Sequence, residues 1–337
     1  MSRLNEKDII KLFSSMLRIK HRIKNENDDV AHLPLKHIMG DSISADAIVV
    51  VLKSDMLVES TDVAPGMRAW QIARKSVVAS VSDMCAKGIE PPYLCVISIG
   101  IPSSYSKARI DDLARGFKMA SKEFGVEIVG GDTNRCNELV INCNLAGFSS
   151  LHRPIPKTNG AMPGDFVISS GLFGYSSSGL KILLYGASAR RQFRRTAIKS
   201  VLIPKPQLIF GTSMAKFFSS SIDSSDGLAA SVYELAKQSH VDIILNNLPS
   251  GKGLGRFAQH NGLVVRDLVY YGGEEYEIIA TISETNLEKV RRLAEKLKLK
   301  FYVIGRVEKG KGRVFVLSQR GTRLNLREGG YIHKFMA

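Results

Sequence analysis

Apolar and polar positions alternate along this chain with two periods, one typical of helices and the other typical of strands. Helical spacing of apolar residues in the first half predicts helices at 6–19, 65–87 and 106–124. The second helix has Pro65 near its start and Gly88 past its end, and the third stops at Gly125. Short apolar or β-branched runs predict strands at 48–52, 93–101, 126–129 and 139–146.

The second half repeats this alternation after a polar, proline-rich connection at 149–164, which is the best domain boundary. We therefore expect a first domain over 1–150 and a second over 151–337. Strands are predicted at 165–170, 241–245 and 276–282, with a hairpin of strands at 300–305 and 313–317. Helices are predicted at 178–185, 206–218, 228–238 and 287–297. The expected fold class is α/β (α+β), with two α/β domains.

The most informative stretch of the chain is Val129-Gly130-Gly131-Asp132-Thr133. An apolar strand is predicted to stop at Val129. The two glycines that follow have no side chains, so their backbone is accessible to a ligand. Exposed backbone amides can donate hydrogen bonds to phosphate oxygens, while a neighbouring carboxylate coordinates the metal ion that accompanies the phosphate. Taken alone, this pattern is more often only a turn.

Further Asp residues lie in similar settings, mostly beside Ser and at the border of an apolar run. They occur in Gly40-Asp41, Ser54-Asp55, Ser82-Asp83 and Asp223-Ser224-Ser225-Asp226. Each segment alone is more simply explained as a helix cap or turn, because Asp and Ser are common at these positions. Their recurrence in one chain favours a polyaspartate Mg²⁺ site, because Mg²⁺ prefers carboxylate oxygen and shares its coordination with substrate phosphates.

The order of these motifs resembles the thiamine-monophosphate kinases, of the aminoimidazole ribonucleotide synthetase-like ATP-binding superfamily. Gly272-Gly-Glu-Glu-Tyr-Glu277 and Gly330-Tyr-Ile-His333 resemble later motifs of the family, and the stretch 59–67 resembles its archaeal branch. The resemblance covers about residues 38–335. It implies an enzyme that uses ATP and several Mg²⁺ ions to phosphorylate thiamine monophosphate to thiamine diphosphate. It also implies a homodimer built on the N-terminal sheet and a C-terminal α/β sandwich.

The resemblance also implies roles for individual residues. Asp132 and Asp83 are the expected catalytic residues at the centre of the metal cluster. The expected metal ligands are Asp41, Ser54, Asp55, Asp83, Asp132, Asp223 and Asp226. Nucleotide contacts are expected from Gly131, Asp132, Ser225 and Lys157, and substrate contacts from Asp62, Gly273, Glu274 and Tyr331. For Tyr331, a place in the C-terminal core is an almost equally good interpretation.

The chain departs from the family pattern at three places. Ser42 follows Asp41 where a second Asp is usual, and Asp62 stands where many bacterial members have a substrate-contacting His. Lys157 keeps the charge of an ATP-contacting Arg without its bidentate fork. Two alternatives therefore stay open, namely another ATP-using member of the superfamily and a basic, non-catalytic binding protein on this fold.

Dimerisation is also expected from the residues of the N-terminal strands. The predicted sheet has apolar residues on both faces, among them Val96, Ile97 and Ile141. The two neighbouring helices can cover only one face, and an uncovered apolar face is an association site. We expect Ile97 and Ile141 to lie on the face that meets the partner.

Composition limits the remaining possibilities. The chain is 44% hydrophobic and 23% charged, which is ordinary for a globular protein, and no apolar run reaches the roughly 20 residues that span a bilayer. Four cysteines without a CxxC pair indicate reduced thiols, so a cytoplasmic location is expected. The net charge of +15 is densest at 190–195. We interpret this cluster first as a solvated face, second as a phosphate-facing loop and third as a nucleic-acid patch, and we expect no specific nucleic-acid partner.

Overall fold

The computed structural model describes residues 48–318 and 320–331. The helix predicted at 6–19 and the expected ligand Asp41 lie outside these residues. The chain divides into two compact units. Of the described residues, the first comprises 48–84 together with Ile89–Arg153, and the second comprises Cys85–Gly88 and the described residues from Pro154 to 331. None of the helices in the described residues has both the length and the hydropathy of a membrane span.

The first unit contains a four-stranded sheet and three helices within the described part of the chain. Its strands are β1 (Ile48–Val58), β2 (Glu90–Pro102), β3 (Val126–Cys136) and β4 (Val140–Ser150). Its helices are α1 (Glu59–Asp62), α2 (Ala69–Ala86) and α3 (Lys107–Phe124). Sequence predicts α3 well because both ends carry local signals. Ser106 accepts a hydrogen bond from the N–H of Arg109, and Gly125 ends the helix with a φ of 67°.

Strand order in this sheet is β1-β4-β2-β3, with β2 and β3 parallel and the other pairs antiparallel. Buried and half-buried residues alternate along the whole of β4, which is typical of a sheet with one covered face. The covered face contacts α2, where Ser80 donates a hydrogen bond to the carbonyl of Cys143. Cys143, Ile97 and Ile141 all lie on this face and are buried.

The opposite face of the same sheet carries exposed apolar side chains. Leu52 is 75% exposed and Met56 is 62% exposed, with Val50 and Val96 also exposed. The expectation that Ile97 and Ile141 lie on the uncovered face is therefore wrong. Side chains alternate along a strand, so a one-residue error in register moves a residue to the other face.

The second unit contains a seven-stranded sheet and seven α-helices within the described residues. The strands are β5 (Phe166–Ser169), β6 (Ser220–Ser224), β7 (Val241–Leu245), β8 (Glu277–Ile282), β9 (Tyr302–Lys309), β10 (Val314–Leu317) and β11 (Arg323–Asn325). The helices are α4 (Tyr175–Tyr185), α5 (Arg191–Leu202), α6 (Leu208–Met214), α7 (Leu228–Gln238), α8 (Leu254–His260), α9 (Val265–Tyr270) and α10 (Glu284–Lys296). A short 3₁₀ helix, Ala215–Phe217, follows α6.

Strand order in the second sheet is β11-β10-β7-β9-β5-β8-β6. The predicted hairpin of β9 and β10 is wrong, because β7 lies between them and pairs with both. One core cluster contains buried residues of α7, β7 and α8, including Val232, Ile243 and Phe257. The mixed α/β architecture with two sheets confirms the expected fold class.

The arginine cluster begins at Arg190 and continues into α5, a helix that the sequence pattern did not predict. Ala197 and Val201 on this helix are buried, whereas Arg191, Arg194 and Arg195 are exposed. The cluster is therefore the solvated face of an amphipathic helix, which was the first of its three interpretations.

Candidate functional site

The first group of candidate residues lies in the first unit, on β1 and at the end of α2. Nζ of Lys53 lies 2.8 Å from Oδ2 of Asp83 and 3.1 Å from Oδ1 of Asp55. Asp55 and Asp83 come from different elements and from separate motifs. One ammonium group thus brings two expected metal ligands into a single cluster.

The electrostatics of this cluster follow from partial burial. Burial raises the pKa of Asp55, and the positive charge of Lys53 acts in the opposite direction. Burial also acts to lower the pKa of Lys53, but the two carboxylates outweigh it and raise that pKa above its ordinary value. Oδ2 of Asp55 is buried and has no hydrogen-bond partner. A buried carboxylate oxygen of this kind, next to a second carboxylate, suits a divalent cation.

Asp132 lies on a strand rather than in a turn. The expectation that the strand stops at Val129 is wrong, because β3 continues to Cys136 and pairs with β2 along this stretch. Gly131 is required there, because an added Cβ would lie 2.1 Å from the carbonyl oxygen of Ile97. Gly131 therefore permits a close approach of two strands, whereas an added Cβ at Gly130 would meet nothing within 4 Å.

Register places Asp132 on the other face of the sheet from Asp55. Gly131 pairs with Ile97, which pairs with Cys143, which pairs with Asp55, so these four residues form one row. Asp132 lies in the next row, and successive side chains point to opposite faces. Its side chain is exposed. The structure therefore brings Asp55 and Asp83 together but does not add Asp132 to them.

Ser54 shares the exposed face with Asp132, since it precedes Asp55 on β1 and successive side chains of a strand point to opposite faces. Its hydroxyl donates a hydrogen bond of 3.0 Å to Oδ1 of Asn142. Asp62, an expected substrate contact, lies at the end of α1 and accepts hydrogen bonds from the N–H of Val58 and the hydroxyl of Thr61. Across residues 48–318 and 320–331, no group of three acidic, His or Cys side chains forms a ready metal site.

A second group of candidate residues lies beside the seven-stranded sheet, where β5 and β6 end and β8 begins. β5 and β6 are each antiparallel to β8, so both end where β8 begins. Ser224 at the end of β6 pairs with Glu277 at the start of β8. Three segments therefore meet at these strand ends, namely the two that follow β5 and β6 and the one that precedes β8.

Three motifs that are far apart in sequence contact one another there. The N–H of Glu274 donates a hydrogen bond of 2.6 Å to the carbonyl of Ser225, and the N–H of Tyr331 donates one of 2.9 Å to the carbonyl of Asp226. Gly273 is so close to Ser225 that an added Cβ would lie 2.7 Å from the same carbonyl. The structure thus places the expected substrate residues Gly273, Glu274 and Tyr331 beside the expected ligand Asp226.

Asp223 is 6% exposed and precedes the buried Ser224, which is the last residue of β6. Asp226 follows in the turn, and Gly227 continues it with a φ of 112°, a value that favours glycine. Lys157, an expected nucleotide contact, pairs through its backbone with β6, where its carbonyl accepts a hydrogen bond from the N–H of Ser221. Its side chain is exposed.

Lys87, Glu275 and Glu277 of the second unit had no individual assignment, although the resemblance implied that the whole stretch 273–277 lies where the family binds thiamine. Nζ of Lys87 contacts the hydroxyl of Thr158 at 3.3 Å and the carbonyl of Ser221 at 2.5 Å. Burial raises the pKa of Glu275 to about 8 and that of Glu277 to about 7. The signal that marks these acids is the stretch Glu274-Glu275-Tyr276-Glu277, in which three of four residues are acidic and which leads into an apolar strand.

Comparisons with known proteins agree with the motif order. The family described as "AIR synthase related protein, N-terminal domain" matches residues 41–149. A thiamine-monophosphate kinase from Nitrosopumilus maritimus is 40% identical over 99% of this chain and 99% of its own length. The thiamine-monophosphate kinase structure from Stenotrophomonas maltophilia superposes with a TM-score of 0.77 over 91% of this chain and 94% of its own, at 24% identity, and supports the fold.

One solved structure, described as "AaThiL complexed with AMPPCP and TMP", is 26% identical and superposes with a TM-score of 0.73. It covers 86% of this chain and 89% of its own. The full-length identity to the Nitrosopumilus enzyme, together with the matching folds, confirms the resemblance stated from the motifs. The chain belongs to the thiamine-monophosphate kinase family.

Proposed function

We propose that this protein transfers the γ-phosphoryl group of ATP to thiamine monophosphate and forms thiamine diphosphate and ADP. A phosphate oxygen of thiamine monophosphate forms a bond to the γ-phosphorus, while the bond from that phosphorus to the bridging β–γ oxygen breaks. The observation that carries the proposal is the 40% identity to a thiamine-monophosphate kinase along the whole chain. The related structure with AMPPCP and TMP supports the same pair of substrates.

The acceptor explains why this chemistry needs no general base. The second pKa of a phosphate monoester is about 6, so the attacking oxygen is largely ionised near neutral pH. The difficulty is to align two anions that repel each other, and phosphoryl-transfer enzymes meet it mainly by positioning and charge neutralisation. Carboxylate-held cations and basic side chains are suited to that task.

We assign Mg²⁺ to the carboxylates of both units. Asp55 and Asp83 fit one ion, because Mg²⁺ is commonly held by one or two carboxylates and completes its coordination with phosphate and water. Asp132 projects from the other face, so it would serve a separate ion, with Ser54 on the same face. Asp41 is retained as a ligand from the family motif. When bound, Mg²⁺ supplies Lewis acidity and a template for the phosphates.

In the second unit, Asp223 and Asp226 are the proposed ligands. Ser225 and Lys157, together with Gly131 of the first unit, are the proposed nucleotide contacts. Gly273, Glu274 and Tyr331 are proposed to contact thiamine monophosphate, as is Asp62 of the first unit. This assignment is supported by the contacts of Glu274 with Ser225 and of Tyr331 with Asp226. Tyr331 is 48% exposed, which leaves its ring accessible to a heterocycle.

We also propose a homodimer formed by the exposed face of the first sheet. Val50, Leu52, Met56 and Val96 give this face an apolar character that is unusual for a surface open to water. A second copy of the same face is the simplest cover, because isologous pairing around a two-fold axis is the commonest arrangement of homo-oligomers.

The test of the activity is the identity of the product. The purified protein is incubated with ATP, Mg²⁺ and one acceptor at a time, and the product is identified by its mass. We expect thiamine diphosphate from thiamine monophosphate. Formation of ADP with no phosphorylated acceptor would contradict the assignment and favour a different ATP-using member of the superfamily.

A further inference from the structure

Glu275 ties the turn before β8 to the first turn of α4. Its Oε1 atom accepts a hydrogen bond of 2.7 Å from the N–H of Gly174 and one of 3.0 Å from the N–H of Ser176. Both donors stand at the start of a helix, where backbone N–H groups have no partner within the helix. A single side-chain oxygen therefore satisfies two of these groups and anchors the turn to a rigid element.

The backbone on both sides of Glu275 is strained. Glu274 has a φ of 62° and Tyr276 a φ of 54°, a conformation that residues with a Cβ adopt rarely. Such residues persist only where the surrounding structure fixes them, and they concentrate at functional sites. Here the N–H of Glu274 is held by the carbonyl of Ser225, and the N–H of Tyr276 is held 3.0 Å from the carbonyl of Ser224.

This strained turn carries residues proposed to contact the acceptor. Gly273 and Glu274 precede Glu275 directly, and both lie against the carbonyl of Ser225. Two hydrogen bonds to the end of β6 hold the turn from one side. The carboxylate of Glu275 holds it from the other side, through the start of α4.

We propose that Glu275 is a positioning residue for thiamine monophosphate, which fixes the conformation of the turn that carries Gly273 and Glu274. This inference rests on the proposed function. Glu275 acts through these neighbours and not on the reacting phosphate. Its loss therefore weakens acceptor binding and leaves ATP binding unchanged.

The role depends on an acceptor oxygen at the right distance and not on negative charge. Both hydrogen bonds end on Oε1, so the carbonyl oxygen of a neutral side chain can accept both. The raised pKa of Glu275 agrees with this, since burial favours the neutral acid, which retains a carbonyl oxygen. A glutamine at this position therefore preserves the two hydrogen bonds to Gly174 and Ser176.

Steady-state kinetics of three variants test the proposal. Glu275→Ala removes the acceptor, Glu275→Asp keeps the carboxyl group but shortens the reach, and Glu275→Gln keeps both reach and acceptor. We expect KM for thiamine monophosphate to rise about tenfold or more in the Ala and Asp variants, because small displacements of positioning groups have effects of this size. KM for ATP stays near the wild-type value in all three, and the Gln variant resembles the wild type.

Asp242→Ala is the matched control. Asp242 on β7 also accepts hydrogen bonds from backbone N–H groups, those of Lys311 and Arg313, but two strands separate β7 from β8 in the sheet. We expect this variant to lower the unfolding temperature without changing KM for thiamine monophosphate. An equal rise of KM in Asp242→Ala and Glu275→Ala would overturn the positioning role, because general destabilisation would then explain both.

The remaining outcomes also decide the question. A Gln variant as impaired as the Ala variant would overturn the proposal, since charge would then be required. If Glu275→Ala does not fold, Glu275→Asp takes its place with the same expected rise of KM, and a wild-type KM in that variant overturns the proposal. Wild-type protein that does not turn over thiamine monophosphate contradicts the proposed function itself. An active wild type with unchanged KM in the Ala variant contradicts only the role of Glu275.

Discussion

Nζ of Lys53 on β1 lies 2.8 Å from Oδ2 of Asp83 at the end of α2. The same ammonium group is 3.1 Å from Asp55, so one cationic side chain holds two carboxylates of the proposed metal set together. A divalent ion held by Asp55 and Asp83, as we propose, would compete with Lys53 for the same oxygens. We therefore expect such an ion to replace the ammonium group of Lys53 in this cluster.

Asp83→Asn should lower kcat by about 10²–10³, since the loss of one oriented electrostatic group commonly has an effect of this size. The fold should persist, because the Asp83 side chain is 32% exposed and the core does not depend on it. Turnover is measured across a range of Mg²⁺ concentrations, with Asp111→Asn on α3 as the control. Near-normal turnover of Asp83→Asn at ordinary Mg²⁺ would remove Asp83 from the metal set.

Asp132→Asn should also nearly abolish turnover, although Asp132 belongs to the other face of the sheet. Its side chain is exposed, so the substitution should leave the unfolding temperature unchanged. Circular dichroism and turnover are measured on the same preparation. Wild-type activity in this variant would show that the exposed carboxylate has no part in the chemistry.

The raised pKa of Glu277 predicts a pH dependence of stability. Its pKa is about 7 in the folded protein, against an ordinary value of 4.5, so the folded state binds more protons between these values. Its contribution to the free energy of unfolding is therefore fully present below about pH 4.5 and is lost as pH rises towards 7. Denaturant titrations of the wild type and of Glu277→Gln at several pH values isolate this contribution. The variant should lose less stability over this window, and parallel profiles would contradict the assignment.

Leu52→Asp and Met56→Asp should weaken the proposed homodimer and the activity together. Each places a charge on the exposed apolar face of the first sheet, where pairing would bury it without a partner. Sedimentation of the wild type should give about twice the chain mass of 37.0 kDa. Leu184→Asp on α4, another exposed apolar position, is the control and should stay dimeric. A fully active wild-type monomer would contradict the dimer.

Replacing Arg190, Arg191, Arg194 and Arg195 by Gln should leave turnover of thiamine monophosphate measurable. The last three are exposed on α5. Their positive charge attracts anions non-specifically and does not discriminate between nucleic-acid sequences. Any nucleic-acid binding should be weak and should fall steeply as salt increases. A tight, sequence-selective complex at physiological salt would instead support a nucleic-acid partner.

Local signals account for the elements that sequence predicts well. α7 and β7 have the predicted bounds, and α3 starts and ends at the predicted cap residues. The errors come from contacts between distant residues. β3 continues past Val129 because β2 pairs with it, and β9 and β10 are separated because β7 inserts between them. Neither pairing leaves a signal in the strand itself.

The candidate site also has features that sequence motifs predict and features that depend on contacts between distant residues. Asp226, Gly273 and Tyr331 were expected in one site from motif order, and the structure places their segments in contact. The hydrogen bond between Glu275 and Gly174 could not be predicted, because Gly174 is 101 positions away and offers only a backbone N–H. The opposite faces of Asp55 and Asp132 depend on strand register, which motif spacing does not reveal.

The most direct test of the central claim compares kcat/KM for thiamine monophosphate with kcat/KM for free thiamine, at saturating ATP and Mg²⁺. Free thiamine lacks the ionised phosphate oxygen that attacks the γ-phosphorus and that bound cations would hold. The account therefore predicts strong preference for the monophosphate, with thiamine diphosphate as the product. Equal or better turnover of free thiamine would contradict it.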